Sequence, residues 1–402
     1  MIMHLDMNSY FATAEQQCNP YLRGKPICIA GKGKNERTVC AAASYEAKKY
    51  GVKSGTSVWQ AKALCPSIQI VPADYEKYQF ISRQVFSLLE EYSPKIEIFS
   101  IDEAFVDLSH IKTYTEAAVL ADEIKWRIRT EIGDYLKCSV GLAENKLLAK
   151  LASEKQKPDG LTIIKKNDVS AVLEETPIEE LCGIGRRLQF RLNQLGIKKV
   201  AELGRYPLVN LIKLFGPNTG RLLKQMGEGI DLSEVLPYFE FPAEKSFGHS
   251  YTLPSDISDL EEVKKVLLKL SEKVGRRLRK KEFFGRTVHI YLRFHDFTGF
   301  SQQITTHSIQ DGFEIYQTGL KILKQFDFQK PIRLVGISIS NLSQEKDMTQ
   351  ALLAYDQKRE QLLKATDKIN DHFGEFTIFR AALTKIKDRI ENIPDGRNKR
   401  IM

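Results

Sequence analysis

Cysteine is scarce in this 402-residue chain and is spaced for neither covalent nor metal work. Cys18, Cys28, Cys40, Cys65, Cys138 and Cys182 form no C-x-x-C pair and fit neither a disulfide framework nor a zinc site, so they read as reduced, mostly buried thiols. Nowhere do eighteen apolar residues run together, which excludes a membrane-spanning helix. The opening Met1-Ile2-Met3-His4-Leu5-Asp6 has no basic segment before an apolar one, so a cytoplasmic protein is expected. Compositional bias is missing too: 42% hydrophobic and 28% charged residues exclude a disordered, collagenous or membrane-embedded chain. What is present is length enough for two to four domains and a formal charge of +9, which suits a polyanionic partner such as nucleic acid.

Residues 1–5 read as a buried strand ending at Asp6, with turn chemistry at Asn8 and Ser9 and a helical pattern from Tyr10-Phe11. The run I-E-I-F-S-I-D-E-A-F-V-D-L over 96–108 has the length of two short strands joined tightly, with Asp102 and Glu103 near the turn. Helical spacing over 116–132, a strand over 138–142 and a helix over 146–153 make this part mixed α/β. Residues 12–73, with a Gly31-Lys32-Gly33-Lys34 stretch and a helix-like 41–50, look like an inserted lobe. After the Lys157-Pro158-Asp159-Gly160 turn the chain reads as a small helical domain with glycine-bounded segments at 183–196 and 216–229. Residues 244–343 combine two helical stretches with strands at 286–294 and 332–339, a separate α+β domain. From Asn341 onward a loosely attached basic tail with one helix at 355–373 is expected.

Two adjacent acids inside an apolar β-rich run cost several kcal/mol unless neutralised. A cation is one answer. If the opening strand pairs beside this hairpin, Asp6 joins Asp102 and Glu103, and three carboxylates with waters suit octahedral Mg²⁺ or Mn²⁺. Two such ions about 3.5–4 Å apart clamp the attacking and leaving oxygens of a phosphoryl transfer. A solvated hairpin tip would carry the same acids.

The order of H-L-D-M-N-S-Y-F-A-T-A-E-Q, A-S-Y-E-A-K-K-Y-G-V, E-I-F-S-I-D-E-A-F-V-D-L and C-G-I-G-R-R-L resembles the Y-family translesion DNA polymerases, specifically the bacterial polymerase IV-like and polymerase V catalytic-subunit branch, over residues 1–343. The resemblance implies an α+β multidomain right hand: palm at 1–11 and 74–164, fingers at 12–73, a helix-hairpin-helix thumb at 165–232, a linker at 233–243, a little finger at 244–343, and a tail at 344–402. It implies a template-directed, low-fidelity polymerase of DNA damage tolerance acting on primer-template DNA and deoxynucleoside triphosphates. Asp6, Asp102 and Glu103 then hold two Mg²⁺ ions, for which Mn²⁺ substitutes, with the Met7 carbonyl completing one site.

By the same resemblance Phe11 lies under the incoming sugar as a steric gate, and the amides of Asn8, Ser9, Tyr10 and Phe11 face the triphosphate from a helix start. Tyr45 and Lys48, three apart on one helix face, match β- and γ-phosphate contacts. Lys157 matches a palm lysine that reaches the same group. Lys48 replaces an arginine, and Ala42 a threonine or serine, of many relatives, so bidentate phosphate recognition becomes a point charge.

Leu181-Cys182-Gly183-Ile184-Gly185-Arg186, followed by Leu188, Leu192 and Leu195, has the pattern of a helix-hairpin-helix whose amides hold a DNA phosphate. The run K-V-G-R-R-L-R-K-K over 273–281 has six basic residues in nine, and Lys273, Arg276, Arg277, Arg279 and Lys280 are expected on the DNA backbone. Gln350 to Tyr355, Q-A-L-L-A-Y, is reminiscent of sliding-clamp peptides. A non-catalytic DNA-repair scaffold would keep the fold and the grip without needing the three acids. Nucleotide cyclisation on a palm-like sheet would explain neither the hairpin nor the basic helix.

Overall fold

A computed structural model describes residues 1–31, 37–238, 240, 244–325, 330–344 and 354–386, and divides the chain into two units, Met1–Phe241 and Pro242–Arg397. The first strand, β1 (Ile2–Met7), alternates strictly: Met3, Leu5 and Met7 are buried on one face, while His4 and Asp6 point to the other. Helix α1 (Tyr10–Cys18) follows and buries Ala12 and Ala14 in the same core as β1. It therefore runs straight through the boundary expected between residues 11 and 12.

A small lobe comes next, built from β2 (Ile27–Ala30), β3 (Ala42–Ala43), α2 (Tyr45–Lys48), α3 (Val58–Leu64) and β4 (Gln69–Pro72). The helix expected over 41–50 shrinks to α2, because Ala42 and Ala43 pair with Ile29 and Cys28 as an edge strand. Residues 32–36, which include most of the glycine-rich stretch, lie outside the described residues.

The chain returns through α4 (Tyr75–Glu90), β5 (Ile96–Ile98), β6 (Glu103–Asp107), α5 (Tyr114–Arg127), β7 (Cys138–Ala143), α6 (Lys146–Lys155) and β8 (Leu161–Ile163). The strands order as β5-β6-β1-β7-β8, antiparallel except for the β7–β8 pair. Tyr78, Val85 and Leu89 of α4 and Ala117, Ala121 and Ile124 of α5 cover the Met3–Leu5–Met7 face in one core, where each fully buried large apolar side chain contributes about 1.5–3 kcal/mol. Helix α6 packs against β1 and β7, the approach allowed by Gly141, where an added Cβ would lie 2.0 Å from the Ala149 carbonyl oxygen. The His4–Asp6 face thus looks toward α6.

Five helices complete this unit: α7 (Val169–Glu175), α8 (Arg186–Gln194), α9 (Val200–Arg205), α10 (Leu208–Phe215) and α11 (Pro217–Gly227). They share a core of Leu173, Leu192, Leu203, Leu211 and Leu223 with α6.

The second unit runs β9 (Ser246–Ile257), α12 (Leu260–Lys280), β10 (Phe284–Phe294), β11 (Gly299–Ile309), α13 (Gly312–Leu323), β12 (Ile332–Ser343) and α14 (Ala354–Phe373). Its antiparallel sheet orders as β11-β10-β12-β9, with α12 and α13 packed on one face. β9 and β11 were not expected as strands. Glycine, proline and serine interrupt β9, and the edge strand β11 reads G-F-S-Q-Q-I-T-T, so neither presents the apolar run that marks a central strand.

The expectation of a loose tail is corrected here. α14 lies antiparallel along α12, and an ion-pair ladder joins α12 to it and to Glu375 just past its end: Lys273 to Glu375 at 3.0 Å, Arg276 to Asp371 at 2.6 Å and Arg279 to Asp367 at 2.6 Å. Arg359 binds Asp311, Arg380 binds Glu272 at 2.5 Å, and the Lys269 and Lys273 ammoniums sit over the Phe376 ring. The acids that neutralise the basic run arrive some ninety residues later in the chain, which no local pattern reveals.

Candidate active site

Asp6 and Glu103 stand directly opposite one another on β1 and β6, and the Met7 N–H donates to the Asp102 carbonyl at 2.8 Å, which ties the strand end to the loop carrying Asp102. The three expected carboxylates are therefore neighbours. Each has a different electrostatic setting. Burial, with the negative charges of Asp6 and Glu103, pushes the Asp102 carboxyl up to about 6 despite a hydrogen bond from the Ser100 hydroxyl. Burial also raises Asp6, against the pull of the Lys157 ammonium 2.9 Å from its Oδ1. For Glu103 burial is outweighed: the His4 ring, with Nε2 at 3.2 Å, and the Lys150 ammonium in contact with it hold the carboxyl down at about 2.

A hard-oxygen donor set in which one acid is driven toward protonation by burial, with its acidic neighbours adding to the effect, fits a bound divalent cation. Among the described residues, however, no three acidic, histidine or cysteine side chains close on one point; Asp6 is drawn to Lys157 and Glu103 to Lys150.

Sequence reasoning missed His4, Lys150 and Ser100. The signal for His4 was its period-two relation to Asp6. Lys150 carried no signal without knowing that α6 covers that face of the sheet.

Other expected contacts separate into those near the carboxylates and those that are not. Lys157 bridges Asp6 and Glu154, the latter at 2.6 Å. Its pKa is raised because these acids outweigh its burial. Lys48 has its ammonium 4.4 Å from the centre of the Tyr45 ring, and burial followed by the like charge of Lys157 lowers its pKa, so the two lysines sense one another. At the start of α1, Ser9 takes a left-handed φ of 49°. The Asn8 N–H is committed to the Lys137 carbonyl, whereas Ala12 and Thr13 are the first donors to turn back to Ser9. Asn8 and Tyr10 are buried, and Tyr10 donates to the Tyr78 carbonyl at 2.5 Å, so their side chains pack the helix start while the expectation for them concerns backbone amides. Phe11 is only partly buried, stacked on Tyr78 at 4.4 Å and edge-on to Tyr75.

In the helical subdomain Gly183 adopts a φ of 96°, which a side chain would strain, and Gly185 caps the start of α8, leaving Arg186 exposed beside it. The Ile184 side chain is buried in the subdomain core. The basic run of α12 is not the open phosphate rail expected. Lys273, Arg276 and Arg279 are paired as described, Arg277 donates to the Gly248 carbonyl at 3.0 Å, and Lys280 alone of the five is exposed. The face of that sheet away from α12 and α13 is the open one. It carries Ser250, Ser301, Gln303 and Thr305, with His289 bonded to Ser301 at 2.7 Å and Arg293 bonded to the Tyr291 hydroxyl at 2.9 Å.

Family models match three stretches of the chain. Residues 5–154 match the impB/mucB/samB family, 179–231 the DNA polymerase-iota thumb domain, and 244–353 the impB/mucB/samB C-terminal domain. DNA polymerase IV of Moorella thermoacetica is 38% identical over 384 residues, covering 94% of this chain and 95% of that one. The Clostridium kluyveri DNA polymerase IV is 36% identical, covering 96% and 98%. A solved Y-family DNA polymerase chimera superposes with a TM-score of 0.75 at 29% identity, covering 85% of this chain and 98% of its own. The chain belongs to the DNA polymerase IV branch of the Y family, the translesion DNA-directed DNA polymerases. Membership entails handling DNA and nucleotides and depending on a metal ion. Among the described residues no helix is long and apolar enough to cross a membrane.

Proposed function

We propose that this polymerase extends primers across damaged template by two-metal nucleotidyl transfer at Asp6, Asp102 and Glu103, with Mg²⁺ as the working ion and Mn²⁺ able to replace it. The observation that carries the reading is the in-register pair Asp6 and Glu103 with Asp102 beside them, a cluster in which burial first and mutual repulsion second disfavour the charged carboxylates, so that cationic compensation suits it. Bound cations at such a site lower the pKa of the primer hydroxyl and neutralise charge on the triphosphate.

The protein's own groups do the positioning. Asp6, Asp102, Glu103 and the Met7 carbonyl hold the cations. Lys48, Lys157 and the Tyr45 hydroxyl bind the triphosphate with the amides of residues 9–11, and Phe11 closes the space beneath the sugar so that a 2′-hydroxyl meets its ring. The Gly183–Gly185 hairpin and the exposed Arg186 hold the DNA backbone, and the hydroxyl-rich open sheet face with Arg293 does so in the second unit. That face replaces the paired arginines of α12 in the DNA-binding role, leaving Lys280 as its one exposed contributor. Low fidelity, a cytoplasmic location and tethering to a sliding clamp through Gln350 to Tyr355 complete the reading; residues 350–353 of that motif lie outside the described residues.

Primer extension with and without Mg²⁺, on plain and lesion-bearing templates, tests it. Mg²⁺-dependent extension through the lesion supports the reading. No extension on either template overturns it.

A further inference from the structure

Two lysines, not one, grip the carboxylate cluster. Lys157 holds Asp6 at 2.9 Å, and Lys150 of α6 contacts Glu103 Oε2, the oxygen that His4 Nε2 approaches to 3.2 Å. Both partners of the Lys150–Glu103 pair are 15% exposed, and the Lys150 ammonium lies 5.1 Å from the centre of the Phe99 ring. The backbone behind it is pinned: Ser153 Oγ donates to the Lys150 carbonyl at 2.8 Å and lies 2.8 Å from His4 Nδ1, which fixes α6 against β1.

Glu154, four residues on from Lys150 and so on the same helix face, now holds Lys157 at 2.6 Å. Were a triphosphate to draw Lys157 away, Glu154 would be left as an acceptor on the helix face that carries Lys150, whose four-carbon stem has rotatable donors.

We propose that Lys150 is a positioning residue that latches Glu103. Its ammonium competes with a divalent cation for the carboxylate as Lys157 competes at Asp6, so the cluster takes up cations weakly until a nucleoside triphosphate arrives and releases the lysines. Cation loading is thereby coupled to substrate. The inference rests on the two-metal reading above and adds a residue and a binding order to it.

The test uses the full chain without DNA, so that no turnover occurs, and Mn²⁺ as the probe, followed by loss of the free-ion electron paramagnetic resonance signal with and without dATP, binding being counted as the loss beyond that of the same Mn²⁺ and dATP without protein, because the triphosphate itself chelates the ion. Lys150→Gln should bind Mn²⁺ in the absence of dATP about tenfold more tightly than the unmodified chain, the scale expected for removing one positive charge a few ångströms from the ion. The gain on adding dATP should shrink, and Lys150→Arg should restore the original behaviour. Unchanged or weaker Mn²⁺ binding by Lys150→Gln overturns the latch. The rise in melting temperature on adding Mn²⁺ gives a second reading, made also on Lys150→Met in case one variant folds poorly. A larger rise than in the unmodified chain supports the latch, and an equal or smaller one overturns it. Asp102→Asn separates the two levels: if it keeps full Mn²⁺ binding with dATP present, the two-metal reading itself fails, whereas loss of binding there with no effect of Lys150→Gln removes the latch alone.

Discussion

The palm and the second unit both set acids against lysines and arginines, yet the two clusters behave oppositely. Where α12 runs beside α14 and the residues just past it, three cations have an acid in register, Lys273 with Glu375, Arg276 with Asp371, Arg279 with Asp367. The ladder is satisfied. In the palm two lysines serve three carboxylates crowded at one strand end, and Asp102 is left with a hydroxyl and two like charges, its carboxyl raised to about 6. Density of charge is the same signal in both places. What separates a site from a strut is whether the charges balance without a ligand.

The largest effect should follow from unbalancing the palm further. Glu103→Ala removes the group that Lys150 and His4 hold, and single-turnover incorporation should fall by at least about a thousandfold, because several kcal/mol of charge stabilisation are lost. A smaller change, Phe11→Ala, leaves the charges alone but opens the floor of the sugar site. Discrimination against ribonucleotides, read as a ratio of kcat/KM values, should relax by about 10–200-fold.

The comparison breaks if an α12 arginine behaves like a palm carboxylate. Arg279→Ala should leave incorporation and the salt dependence of DNA binding unchanged while lowering thermal stability. A double-mutant cycle with Asp367→Ala should give a coupling of about 0.5–3 kcal/mol for this mostly buried pair. Arg293→Ala on the open sheet face should do the reverse: stability holds, and the slope of log K against log salt becomes shallower by about 0.9. A changed slope in Arg279→Ala with none in Arg293→Ala would exchange the two surfaces.

Much of the palm was legible because local rules and the final packing agree. The buried strand expected to end at Asp6, which runs one residue further, and the β-rich run over 96–108 appear as β1, β5 and β6 with Asp102 and Glu103 at the expected turn. Residues whose roles come from distant partners were not legible. Lys150 reads as one more helical lysine until α6 is laid over β1, and residues 273–281 read as an open rail until α14 supplies its acids. Tyr10, Asn8 and Ile184 sit within matching motifs yet are buried, since a motif gives position along the chain and only the fold gives the direction of a side chain. Among the missed strands, β9 and β11 lack the apolar run that would have marked them.

The measurement that bears most directly on the carboxylate cluster is single-nucleotide incorporation on a primed template with Mg²⁺, comparing the unmodified chain with Asp102→Asn while DNA affinity is measured on the same samples. Loss of incorporation in the variant with DNA affinity retained is the predicted result; incorporation at the unmodified rate by Asp102→Asn would contradict the assignment.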